Sequence, residues 1–270
     1  MPWEIRLSLG CLLLFVGLAV AAPYVAREPY DVIHLERRFC RPDATHWFGC
    51  DELGRDLWTR WVYGARVSLF VATVVTCLAG ISGGLIGVVS GLVGGWIDTW
   101  VMRVVDVMLA LPGLLLALAF VAFLGAGLRN LILALVITGW APYARLIRGE
   151  TLRLRELDFV KASRAMGGGT GWILRFHLLP HLVGIWSVQA SLSMAGLVLA
   201  EAGLSFLGLG IQPPVPSWGR MLTAGLVHLM DAPHLSIFPG IGITLLVLAF
   251  TYLGEYLEQV YHRRLPLASL

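Results

Sequence analysis

The sequence predicts an all-α integral membrane protein of about six transmembrane helices with a short cytoplasmic helix-elbow-helix loop, on three observations. Hydrophobic residues make up 57% of the chain against 14% charged, and the mean hydropathy is +0.77, more apolar than a soluble domain can solvate. Six stretches, over about 5–22, 68–92, 101–124, 128–147, 182–204 and 237–257, approach the roughly 20 apolar residues that span a bilayer as a helix. A polar, glycine-rich interruption at 158–180 separates two of them. Backbone groups in lipid must bond internally, and the alternation of a barrel is absent, so helices are the expected form. The organisation is then a first helix and outer loop over 1–67, a transmembrane domain over 68–260 and a cytoplasmic tail over 261–270.

Taken in order, the first stretch carries Arg6, an apolar run and Ala19-Val20-Ala21, which also fits a secretory signal with a small-residue cleavage site. A retained helix is preferred because the later pattern demands an even number of spans. In the second, Gly83, Gly87, Gly91 and Gly95 recur every four residues, a small-residue stripe for close helix packing, within the chain or against a partner. In the third, Pro112 removes a helical hydrogen bond and predicts a kink. Asp98, Arg103 and Asp106 sit near its inner end, with Arg103 and Asp106 at pairing spacing. Glu201 in the fifth lies about 30 Å beyond His181, a whole hydrocarbon core, and so belongs at the outer interface. No span carries an ionisable group at its centre, which counts against proton-coupled transport.

The 158–180 interruption reads as two short helices. Phe159, Ala162, Ser163 and Met166 share one face, Asp158 is placed to cap the start, and Lys161 and Arg164 turn elsewhere. Gly167, Gly168 and Gly169 stop the helix. Thr170 is placed to cap a second helix striped by Trp172, Ile173, Phe176 and Leu179, and Pro180 suits the first turn of the span that follows. From Arg145 to Arg175 there are seven basic residues against three acidic, a net +4, so this loop is expected in the cytoplasm, with Arg263 and Arg264 agreeing. The stretch 23–66 balances seven of each sign and is assigned outside by the span count, as is 205–236.

The 158–180 segment resembles the cytoplasmic coupling loop of ABC importer permeases, patterned Glu-Ala-Ala, three residues, Gly, nine residues, Ile, one residue, Leu-Pro. Ala162, Gly167, Leu179 and Pro180 keep their places, while Lys161, Ser163 and His177 replace the Glu, the second Ala and the Ile. Two outer stretches narrow the resemblance to the second, shorter permease of the dipeptide, oligopeptide and nickel branch. In 46–69, Gly49, Asp51, Gly54, Arg55, Asp56, Gly64, Arg66 and Ser68 match its signature, with Cys50 in place of a Thr; EAGLSFLGLGIQPPVPSWG, over 201–219, matches its outer motif. The tail departs from the branch at Tyr252, Gly254, Glu255, Arg263 and Pro266.

The resemblance implies a permease subunit paired with a homologous permease to enclose a pathway. Two separate ATP-binding subunits, which hold the ATP and Mg, would dock on Asp158, Phe159, Lys161, Ala162, Ser163, Met166, Gly167, Leu179 and Pro180. An extracytoplasmic binding protein would deliver small peptides or nickel and other metal complexes. This chain would have no catalytic site, cofactor or metal of its own, and would lie multi-pass in the bacterial inner membrane with both termini cytoplasmic. An ion-coupled secondary transporter is the alternative. No Gly-x-x-x-x-Gly-Lys-Ser/Thr loop is present, Ser205 has no positioned intramembrane His, and a net charge of +3 beside lipid gives no nucleic-acid footprint. A disulfide between Cys40 and Cys50 is chemically allowed in the outer loop. His228, Met230, Asp231 and His234 are metal-capable types in a loop that also reads as simply solvated.

Overall fold

A computed structural model describes residues 3–264 of the chain. It contains ten α-helices among the described residues: α1 (Trp3–Val25), α2 (Leu57–Val93), α3 (Gly95–Ala110), α4 (Gly113–Leu124), α5 (Leu128–Arg155), α6 (Asp158–Ala165), α7 (Thr170–Ile173), α8 (Leu179–Phe206), α9 (Trp218–Val227) and α10 (His234–Arg264). A π-helical turn, Leu174–Leu178, joins α7 to α8. Among the described residues, five helical stretches are long and apolar enough to cross a membrane, one of them α7, the π turn and α8 taken together, and six if α3 and α4 count as one bent span. The tail residues 265–270 lie outside the described residues, whereas 261–264 extend α10.

Three expected boundaries change. The second span starts at Leu57, not 68, so α2 is 37 residues and about 55 Å long; the 67/68 boundary falls inside it. The third span is a break between α3 and α4, bent by 91°, where a kink was expected. Pro112 cannot donate to the helix and clashes with the preceding turn, and Leu111 before it is extended at φ −98° and ψ 141°. The fourth span continues past 147 to Arg155, carrying charged turns beyond the apolar stretch.

The centre of the bundle is the pairing of α2 with α5. A Cβ on Gly83 would lie 2.2 Å from Trp140 O, and one on Gly87 2.6 Å from Ala144 O; on Gly91 it would meet Thr151 at 2.8 Å. Three of the four stripe glycines therefore serve packing within the chain. Gly95 does not: it lies past the break at Gly94, with φ +61° and nothing within 4 Å of its would-be side chain.

At one end, α1, α2, α9 and α10 share an aromatic cluster. Phe15, buried on α1, lies 5.7 Å from Trp61 and 5.8 Å from Trp218, and Phe48 stacks on Phe238 at 3.8 Å. Trp218 Nε1 donates to Trp61 O at 3.0 Å and Trp61 Nε1 to Phe238 O at 2.8 Å, so the buried indoles are satisfied. This packing builds α1 into the core.

Candidate functional site

At the other end, α6, α7 and the π turn form the elbow. Val160 and Ser163 are buried, and Val160 joins Ile147, Leu154, Ile173, Leu178 and Leu182 in one apolar cluster with α5 and α8. Gly167 takes φ +87°. Gly168 N–H donates to Ser163 O at 2.9 Å and Gly167 N–H to Arg164 O at 3.0 Å, the paired bonds of a Schellman ending. The elbow is therefore a defined turn, held by backbone bonds, with a residue in the left-handed region at its corner.

Two caps move by one residue. Asp158 is the first residue of α6 and Leu157 its N-cap, with no side-chain cap bond; the Asp158 charge still lies in the first turn. Thr170 likewise opens α7 after Gly169, again without a side-chain cap bond. The helical stripes are redrawn too. Of Phe159, Ala162, Ser163 and Met166 only Ser163 is buried, and Met166 is 82% exposed. Of Trp172, Ile173, Phe176 and Leu179 only Ile173 is buried, because the π turn inserts a residue and brings Leu178 inward where a regular helix would bring Phe176. Phe159, Ala162, Met166, Trp172, Phe176 and Leu179 are consequently exposed on this end.

The departures from the coupling-loop pattern are paired with one another or with neighbours. His177 Nε2 and Ser163 Oγ are hydrogen-bonded at 3.2 Å, so the residues at the second Ala and the Ile positions form a matched pair. Lys161 Nζ lies 3.4 Å from Glu156 Oε2, an exposed ion pair within the chain. Pro180 sits in the first turn of α8, where its missing N–H costs nothing. Just before the elbow, the end of α5 is tied to α2 by Arg155, which donates to Gly91 O at 2.9 Å, and to α10 by Tyr261 Oη, which donates to Glu150 Oε1 at 2.9 Å. The charges near the inner end of α3 pair across helices: Asp98 binds Arg148 and Ser90, and Asp106 binds Arg145 in place of the expected Arg103. Two helices can share an ion pair at any sequence separation, so i,i+3 spacing could not identify it.

The motifs of 46–69 and 201–219 build a second structured end. Gly54 takes φ +72°, and a Cβ there would sit 1.8 Å from His34 O. Asp51 Oδ1 accepts from Leu53 N–H and Arg55 N–H, both at 2.9 Å, and its Oδ2 accepts from Arg55 Nε at 2.7 Å. Asp56 caps α2 by accepting from Thr59 N–H at 2.8 Å. Glu201 is fully buried, with Ser68 Oγ donating at 2.7 Å and Ser205 Oγ at 2.8 Å, so α2 and α8 meet on one carboxyl group. Cys40 and Cys50 form a disulfide. In the same loop Asp43 is held down to about 2 by hydrogen bonds from the Thr45 hydroxyl and the His46 N–H. His228, Met230, Asp231 and His234 do not gather: His228 packs on Phe39, Met230 is exposed and His234 faces Cys50 O. The metal-capable triad among the described residues is Cys40, His46 and Cys50, two of which are spent in the disulfide.

Between the two ends, a cavity of about 370 Å³ opens where α4 begins. Gly113, Gly139 and Gly196 line it together with Thr76, Thr138, Tyr143 and Ser193. Ser193 lies near the middle of α8 and Thr76 near the middle of α2, so the cavity is lined by hydroxyls from within both helices. Single hydroxyls spread one or two to a helix form no period or motif, which is why sequence reading does not single them out.

A profile of the family described as binding-protein-dependent transport system inner membrane component matches residues 83–265. The dipeptide transport system permease protein DppC of Alkalihalophilus pseudofirmus is 41% identical over 244 residues, covering 90% of this chain and 80% of that protein. The glutathione transport system permease protein GsiD of Escherichia coli O157:H7 is 41% identical over 237 residues, covering 88% and 77%. Among solved structures, the inward-facing MetNI methionine ABC transporter aligns with a TM-score of 0.61 at 20% identity, over 76% of this chain and 97% of that one, a likeness of fold.

Proposed function

Because the chain belongs to the binding-protein-dependent transport system inner membrane components and is an ABC importer permease, we propose that it forms half of a pathway for short peptides and is driven through the 158–180 elbow. The observation that carries the coupling role is the exposed apolar face of α6 and the turn after it. Phe159, Ala162 and Met166 are exposed while Val160 and Ser163 are buried and anchor the helix, and an exposed apolar face on a rigid helix suits docking by another subunit. The occupants are two ATP-binding subunits, which carry the ATP and Mg. A homologous permease completes the pathway, and the small-residue cavity with Thr76, Thr138, Tyr143 and Ser193 is read as part of its wall.

Coupling needs the ATP-binding subunits to favour one state of the permease over the other. The elbow transmits that preference because α6 is fixed by its Schellman turn and continues through Glu156 and Leu157 into α5 and through Pro180 into α8. Ion-coupled secondary transport gives way to this reading on family membership. The relatives are named for dipeptide and glutathione transport, which favours peptides over nickel as the cargo.

Both termini are assigned to the cytoplasm on two supports. The +4 loop favours that side, and the Cys40–Cys50 disulfide belongs to an oxidising compartment on the other. In intact cells, a membrane-impermeant thiol reagent should label Cys40 and Cys50 only after external reduction; labelling from the cytoplasmic side alone would invert the topology.

Mass spectrometry of the complex purified from native membrane in mild detergent tests the assignment. A second permease and ATP-binding subunits are expected; a homo-oligomer free of any ATPase would overturn it. Met166→Glu, which places a charge on the exposed face without touching the cluster beneath, should release the ATP-binding subunits from an otherwise stable permease pair. Retention of full ATPase binding in that variant would remove α6 from the interface.

A further inference from the structure

The outer end contains a cleft of about 180 Å³ between the start of α2 and α9, lined by Asp51, Glu52, Arg55, Arg60, Arg220 and Met221 among others. Its charges do not balance. Arg55 binds Asp51 at 2.7 Å and Glu52 at 3.2 Å, and Arg60 approaches Asp51 at 3.3 Å while donating to Tyr30 O at 3.0 Å. Asp51 already accepts two backbone N–H groups as well. Both carboxylates are thus engaged by Arg55 and Arg60, and the third guanidinium, on Arg220, has no ion pair or side-chain hydrogen bond among the described residues. Arg220 also lies near enough to Arg60 for the two like charges to act on one another.

Arg220 is not a loose surface cation. It is half-buried two residues after Trp218, which is fully buried and donates to Trp61 O, and its own N–H is held by the Ser217 N-cap at 3.4 Å. The first turn of α9 therefore fixes where the guanidinium starts. A half-buried cation facing a second cation is stabilised by an anion between them, and a planar fork binds carboxylate best. The cleft is smaller than the roughly 300 Å³ and upward of small-molecule sites. It suits the end of one side chain and not a whole peptide.

Resting on the function proposed above, we infer that this cleft receives a single Asp or Glu side chain of the extracytoplasmic binding protein, with Arg220 as its principal partner. The contact orients the docked protein over the outer ends of α2, α8 and α9, close to the Glu201 junction.

The test uses the assembled transporter in lipid nanodiscs and its binding protein, with affinity measured across a salt series. Arg220→Glu should weaken docking about tenfold or more and flatten its salt dependence, whereas Arg220→Lys should fall between. Arg41→Glu, a charge reversal on the loop between α1 and α2 that does not line the cleft, should leave docking unchanged. Wild-type affinity and salt slope in Arg220→Glu would overturn the inference, as would an equal loss in Arg41→Glu, which would report only the general field. Reduced peptide uptake with docking intact would also overturn it, by moving the carboxylate to the substrate. Failure of the underlying function looks different: the unmodified complex would then dock no binding protein at all.

Discussion

Gly167→Val is expected to abolish uptake while leaving the chain inserted and folded. Gly167 holds φ +87° at the corner between α6 and α7, and nothing lies within 4 Å of a Cβ built on it. The penalty is therefore one of backbone conformation and not of crowding. An L-residue in the left-handed region costs roughly 1–2 kcal/mol, and a β-branched one more. The chain relieves that cost locally by opening the Schellman bonds from Gly167 to Arg164 and from Gly168 to Ser163. Once they open, α6 no longer holds a set angle to α8, and movement of the ATP-binding subunits is lost in the turn. Asn, which visits the left-handed region more readily, should retain most uptake, and Ala should lie between Asn and Val. Uptake and binding-protein-stimulated ATP hydrolysis in the assembled complex read this series. Normal uptake by the valine variant would sink the assignment of the elbow to coupling.

Gly83→Leu should instead remove the protein from the membrane. Its Cβ would approach Trp140 O to 2.2 Å and Tyr143 Cβ to 2.9 Å, so even one methyl forces α2 away from α5. Backbone cannot swing aside as a side-chain tip can. Overpacking of a well-packed core by a methylene or two costs about 1–3 kcal/mol, and a whole isobutyl group against backbone lies beyond that range. The measurement is chain abundance in the membrane fraction together with thermal unfolding in detergent. Gly83→Ala should survive with a lowered Tm, and Gly95→Ala, which has open space around it, should pay only for its φ of +61°. Equal abundance of Gly83→Leu and wild type would mean that α2 and α5 are not in close backbone contact.

The two substitutions separate the two kinds of glycine that sequence reading found. The 83–87–91 spacing announced close packing, but whether the partner helix belonged to this chain or another was open until α5 appeared against it. Gly95 shared the spacing and not the role, because Gly94 ends α2 first. At the elbow, the glycine run marked the turn correctly, yet the burial pattern around it followed the π turn and the cluster with α5 and α8 in place of regular helical periodicity. Likewise, Ser163 and His177 read as two unrelated departures from a motif. In three dimensions they are one hydrogen bond.

Membrane residence, the number of spans, the position of the elbow and the motifs of the permease branch were all written in hydropathy, glycine placement and local patterns. These depend on each residue's own transfer free energy and backbone freedom, which need no knowledge of neighbours. Folding alone decided the 91° break between α3 and α4, the pairing of Asp98 with Arg148 and Asp106 with Arg145, and the burial of Glu201 under two serines. It also left Arg220 as the third cation in a cleft with two engaged acids. Contacts between segments distant in the chain have energies that depend on where each segment is carried, and only the packed bundle specifies that.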